Sequence, residues 1–276
     1  MSTLVCFHAH PDDECIATGG TLAAAHAEGH RTVLVVATRG ERGEVAPGVL
    51  ADGEALWERR IAETYESARL LGVDRVEFLG YVDSGMMGEP TNDGPYTFWT
   101  ADVDAAARRL AAILEEERPD VLTIYDDHGG YGHPDHIQVH RVGLRAAELV
   151  GVPSVLQATM NRDHLRTLIE EQAAAASAEV ANESGVPDRT TPDVPDPATE
   201  AEFGSPEAVI THRIDVGAWT DTKRAAMAAH ASQIPADSWF LQLGDEEFDA
   251  GFGVEWFISS ATTRAAGDPF ASSIWT

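Results

Sequence analysis

Along the first 160 positions apolar residues come in short unbroken runs, separated by longer stretches where they recur roughly every 3.6 residues. The runs at 3–8 (TLVCFH), 32–38 (TVLVVAT), 76–79, 121–125 and 154–158 predict strands. The stretches 19–29, 54–72, 101–118 and 134–150 predict helices, the second capped by Gly72 and the third stopped by Pro119. The order is β-α-β-α-β-α-β-α-β. Unbroken apolar strands belong to a parallel sheet covered on both faces, whereas a half-exposed sheet would alternate. The expected fold class is therefore α/β, a Rossmann-like, doubly wound, mostly parallel sheet with a C-terminal elaboration.

Beyond residue 160 the pattern weakens. Residues 173–206 combine an alanine tract with Pro187, Pro192, Pro195 and Pro197 among acidic side chains, which reads as a mobile insertion or a flap. A strand at 209–214 and a helix at 218–232 are expected next, followed by an aromatic-rich tail. That tail, with Trp239, Phe240, Phe248, Phe252, Trp256 and Phe257, reads as an added layer of the same domain. The expectation is one domain over 1–276, with its core at about 1–160 and its C-terminal layer at 207–276. Two polar, Gly- and Pro-rich loops, 40–53 and 83–100, follow strands two and three. In a parallel sheet they fall at the carboxyl edge, where ligands bind.

Composition narrows the partners. With 19 basic and 46 acidic residues the net charge is −27. Such a surface repels nucleic acid and anionic membrane and otherwise reads as a solubility device. Lys223 is the sole lysine, which excludes lysine chemistry unless Lys223 itself performs it. Two cysteines, Cys6 and Cys15, provide neither a disulfide framework nor a thiolate metal site. No apolar run approaches the roughly 18 residues of a membrane span, and the N-terminus shows no basic leader, so the cytoplasm is the default compartment. A homo-oligomer is compatible with all of this.

Two clusters carry the chemistry. His8-Ala-His10-Pro11-Asp12-Asp13-Glu14 follows strand one, and Asp126-Asp127-His128-Gly129-Gly130-Tyr131-Gly132-His133-Pro134-Asp135-His136 follows strand four. In the doubly wound order 3-2-1-4-5 these strands are neighbours where the winding reverses, so the clusters would face each other across one crevice. Imidazoles and carboxylates without thiolates suit a catalytic Zn²⁺ with three protein ligands and a place for water, and they also accept Fe²⁺ or Co²⁺. His10 and Asp13 can bind from one turn, with His136 as third ligand from the next helix. Such a metal acidifies water and polarises an amide carbonyl. Asp12 then stands ready as base, His133 and Tyr131 as oxyanion stabiliser or acid, and Asp135 as the group orienting a neighbouring imidazole. Taken alone, HPDD reads more readily as a helix start favoured by the dipole, and HxxH as a surface pair, than as a metal site. Their joint placement at two strand ends favours the metal site. His128 and His140 are expected to be supporting or structural, and His8 to face away from His10.

The AHPDDE block paired with GGYGHPDH resembles the LmbE-like deacetylases, or PIG-L family, over about residues 3–160 and Lys223–Gln233 (KRAAMAAHASQ). YDDHGGYGHPDH and Asp83-Ser84-Gly85-Met86 are most similar to the branch serving mycothiol metabolism. The resemblance implies zinc on His10, Asp13 and His136, Asp12 as general base, His133 as oxyanion stabiliser or acid, and Tyr131 beside it. It also implies sugar-hydroxyl contacts from Arg60, in Arg60-Ile61-Ala62-Glu63, and substrate near Asp83. The chain departs from the family at Cys15-Ile16-Ala17-Thr18-Gly19, where the S-conjugate amidases resemble SSKGA and the inositol-sugar deacetylases SLSNG. This puts the substrate in question and leaves the chemistry.

The leading expectation is thus a metal-dependent hydrolase of linear amide bonds that removes an N-acetyl group from an N-acetylglucosamine-type small molecule. The alternative is an amidase for mycothiol S-conjugates or a related amide. His8-Ala-His10 also matches the HxH of barrel amidohydrolases, but that fold needs eight βα units and later ligands. A non-catalytic sugar- or metal-binding module would not need Asp12 and His133 beside the ligands.

Overall fold

The apolar runs become the interior of a seven-stranded sheet in the computed structural model, which describes residues 1–45, 48–171 and 203–276. In chain order the elements are β1 (Thr3–His8), α1 (Asp13–Ala17), α2 (Gly19–Ala27), β2 (Arg31–Thr38), α3 (Leu56–Leu71) and β3 (Arg75–Tyr81). Next come α4 (Val103–Glu117), β4 (Val121–Tyr125), α5 (Pro134–Val150), β5 (Ser154–Thr159) and a helix over 162–171, α6. The chain ends with β6 (His212–Asp215), α7 (Thr220–Ala229), α8 (Trp239–Gln242), α9 (Asp245–Phe252) and β7 (Val254–Ser259).

The strand order is β3-β2-β1-β4-β5-β7-β6. β1 to β5 are parallel, with Leu4 opposite Val121 and His8 opposite Val36. The sheet is open, which removes the barrel alternative. Every residue of β4 and all but the first of β1 and β2 are buried, as strands covered on two faces must be. Gly72 caps α3 with φ 74°, a left-handed conformation that glycine adopts without strain.

The C-terminal third differs from the sequence reading. The strand expected at 209–214 is a short 3-10 turn, Glu207–Val209, followed by β6, because the partner strand sets the ladder and pairs only with His212–Asp215. The aromatic tail is not wholly a separate layer. Its segment Val254–Ser259 enters the sheet as β7, antiparallel to both β5 and β6. Phe248 and Phe257 are fully buried and join the core cluster of the sheet. The flap expected around 180–205 lies, but for its last residues, outside the described residues. Among the described residues no helix is long and apolar enough to cross a membrane.

Candidate active site

Adjacent pairing of β1 and β4 brings their carboxyl-end loops together. After β1 the chain turns through Pro11 into α1, whose N-cap, Asp12, has φ 97° and ψ −28°. A left-handed non-glycine residue costs about 1–3 kcal/mol and persists only where its surroundings enforce it. After β4 the loop doubles back over the first turn of α5. Gly129, at φ 70°, allows this, because a Cβ there would run into the Cβ of His136. Pro134 opens α5, where its missing N–H costs nothing.

His10, Asp13 and His136 converge. Asp13 Oδ2 lies 3.5 Å from His10 Nδ1 and 3.4 Å from His136 Nε2. Donors placed tetrahedrally at zinc-ligand distances stand about 3.3–3.6 Å apart, so both spacings fit one ion between them. His133 offers a further nitrogen, since His10, His133 and His136 lie within 4.8 Å of one another. Asp135 fixes His10 from behind: its Oδ2 is 3.1 Å from His10 Nε2 and accepts the Ser84 N–H at 2.9 Å. A carboxylate on one imidazole nitrogen leaves the other free to ligate. Tyr125 stacks on His136 with ring centroids 4.4 Å apart.

The two aspartates of HPDD are driven apart electrostatically. Burial pushes the Asp12 carboxyl up to about 6, against the pull of Arg60. Burial would raise Asp13 too, but His136 and His10 outweigh it and hold that carboxyl well below the usual range. One group is thus a poor base suited to a cation, and the other a proton acceptor near neutrality. Burial, with His10 and His136 nearby, lowers His133 to about 3, so its imidazole is neutral. The Asp135 N–H donates to His133 Nδ1 at 3.1 Å, which places the proton on Nε2 and makes that nitrogen a donor. Burial likewise leads the lowering of His136 to about 4, leaving it neutral as a ligand must be.

A cavity of about 350 Å³ opens over these groups, lined by Arg60, Asp83 and Tyr131 among others. Tyr131 is 42% exposed and its hydroxyl lies 3.5 Å from His136 Nε2. Asp83 Oδ1 lies 3.5 Å from His10 Nε2 and accepts the Gly85 N–H. Arg60 reaches the cavity, but its terminal nitrogens donate to Gly40 O, Pro11 O and Asp12 Oδ2. All nine residues singled out in the sequence therefore meet at one place. His8, expected to face away, is one side chain removed from the cluster: its ring bonds the Tyr125 hydroxyl at 2.7 Å and Thr18 at 2.8 Å. His128 and His140 bond Gly204 O and Tyr125 O and support the loop. Ser84 and Tyr125 were not anticipated. Both stood inside motifs already noted, Ser84 in Asp83-Ser84-Gly85-Met86 and Tyr125 at the start of YDDHGGYGHPDH, without a role assigned to either.

A doubly wound α/β sheet with an imidazole–carboxylate centre at its switch point is the class of protein that fold and site define. Within that class the chain belongs to the PIG-L family, GlcNAc-PI de-N-acetylase, which matches residues 5–147. It is 45% identical over 246 residues to the 1D-myo-inositol 2-acetamido-2-deoxy-alpha-D-glucopyranoside deacetylase of Thermobifida fusca, covering 84% of this chain and 83% of that one. The N,N'-diacetylchitobiose deacetylase of Pyrococcus horikoshii shares the fold at TM-score 0.55 and 21% identity, over 86% of this chain and 73% of that one. So does the 4-carboxy-2-hydroxymuconate hydratase of Pseudomonas putida, at TM-score 0.57 and 18% identity, over 98% and 100%. Since a hydratase shares it, the fold alone does not separate activities.

Proposed function

We propose that the protein hydrolyses the N-acetyl amide of a glucosaminyl-inositol, releasing acetate and the free amine. The observation that carries this is that a raised carboxyl, Asp12, and a neutral Nε2–H donor, His133, line one cavity with His10 and Asp13. A divalent ion, zinc by the chemistry of the donors, would be held by those three and would polarise the amide carbonyl and acidify water.

The remaining work falls to the chain. Asp12 takes the proton of the attacking water. As the carbonyl becomes tetrahedral, His133 Nε2–H donates to the developing oxyanion, with the Tyr131 hydroxyl beside it. The proton held by Asp12 is delivered to the departing nitrogen as the C–N bond breaks, which restores the carboxylate. Asp135 keeps His10 in orientation throughout. Asp83, at the cavity wall, accepts hydrogen bonds from sugar hydroxyls.

The names of the deacetylase relatives support this substrate, and profiling tests it. Zinc-loaded protein is given acetylated glucosaminyl-inositol and a mycothiol S-conjugate in parallel. Acetate release with a kcat/KM at least about tenfold above conjugate cleavage is expected, a gap of roughly 1.4 kcal/mol in the barrier. Preference for the conjugate would make the protein an amidase.

A further inference from the structure

We propose that the buried pair Glu14–His230 positions the general base, holding Asp12 in its left-handed conformation; this rests on reading Asp12 as the base. Glu14 and His230 are both fully buried, yet no step of hydrolysis uses them. Glu14 Oε2 accepts the backbone N–H of Asp12 at 3.0 Å. Its Oε1 accepts from His230 Nε2 at 2.7 Å and from the Ser67 hydroxyl. His230 Nδ1 has no partner among the described residues, so the polar contact of this ring is Glu14.

The amide so captured belongs to the one residue of the HPDD turn with positive φ, at 97°. An L side chain avoids that region unless its surroundings impose it. A charged acceptor two residues ahead does so, and a second contact, Arg60 to Asp12 Oδ2 at 3.1 Å, fixes the carboxylate. The first restraint traces to the end of α7. His230 caps that helix and bonds Glu14, while two residues later Ser232 bonds both oxygens of Glu63, one turn from Arg60 on α3. The metal-binding side chains have separate supports, Asp135 behind His10 and Tyr125 behind His136. The C-terminal elaboration therefore bears on the base, while both ligating imidazoles are supported from elsewhere.

The test combines crystallography with kinetics on the metal-loaded full chain. In His230→Leu and Glu14→Gln, full metal content with His10, Asp13 and His136 in place is expected. The Asp12 backbone leaves the left-handed region and its carboxylate shifts. A misplacement of this kind lowers kcat by about tenfold to a hundredfold, with KM on acetylated glucosaminyl-inositol changed by less than about twofold if ground-state binding is untouched. His230→Gln, whose amide nitrogen can still donate to Glu14, recovers most of the loss. Added to Asp12→Asn, His230→Leu costs nothing further, because both act through one group. An unmoved Asp12, a fully additive loss, or loss of metal with the base in place would each overturn the proposal. Should the leucine variant not fold, the nearly isosteric Glu14→Gln decides by the same readouts. The crystallographic arm needs no substrate, so an inactive wild type with a displaced Asp12 in the variants refutes the activity and upholds the positioning role.

Discussion

Asp12 and Asp13 are neighbours with the same side chain, and their surroundings shift the two carboxyls in opposite directions. Two imidazoles stabilise the charge of Asp13, while burial makes Asp12 reluctant to carry one. Spacing alone can place both at a metal site, but only the partners assign base and ligand. The same holds for Arg60. The resemblance implied sugar hydroxyls; the two terminal nitrogens of Arg60 donate to Gly40 O, Pro11 O and the Asp12 carboxylate, while its buried Nε has no partner among the described residues. We therefore expect Arg60→Ala to lower kcat by about tenfold or more through a misplaced base. Steady-state kinetics checks this: a change confined to KM would return Arg60 to plain substrate binding.

Among the elements, β1, β2 and β4 were legible because each is covered on both faces, which writes its burial into an unbroken apolar run. β7 was not, since VEWFIS lies within an aromatic tail and gains its identity from pairing with β5, about 100 residues earlier. Ser84, Tyr125 and His230 stood inside motifs read from the sequence, but their partners Asp135, His8 and Glu14 are 51, 117 and 216 residues away, which a motif does not show. At the edge of the sheet opposite the site, Glu117 at the end of α4 bonds Arg31 at the start of β2 and Arg75 at the start of β3. Arg31 first, then Arg75, hold the Glu117 carboxyl down to about 2. Its contribution to stability is thus complete above its ordinary value of 4.5 and fades as pH falls towards about 2. Glu117→Gln should cost about 1–3 kcal/mol at neutral pH, leave kcat unchanged, and lose its penalty near pH 2 to 3. Denaturant melts across that range check it, and a pH-independent penalty would contradict it.

For the molecule as a whole, a net charge of −27 sets the long-range behaviour. Like charges on a folded surface repel one another, and salt screens them over a Debye length of about 10 Å at 0.1 M. Raising ionic strength from about 0.02 to 0.5 M should raise Tm, by about 2–4 °C for each kcal/mol of repulsion relieved; calorimetry showing no rise would mean that local ion pairs dominate. Placement of the two motifs at strand ends was legible from the β-α alternation, whereas the strand order that makes their loops meet is given by the sheet itself, where β1 pairs with β4. On the proposed function, what would make that meeting catalytic is the division of labour between His10, Asp13 and His136 as ligands and Asp12 as base. The most direct measurement is acetate release from acetylated glucosaminyl-inositol by wild type and Asp12→Asn at matched metal content. The account predicts equal metal and a fall in kcat of at least about a hundredfold for the variant. Equal turnover by Asp12→Asn, or loss of its metal, would contradict it.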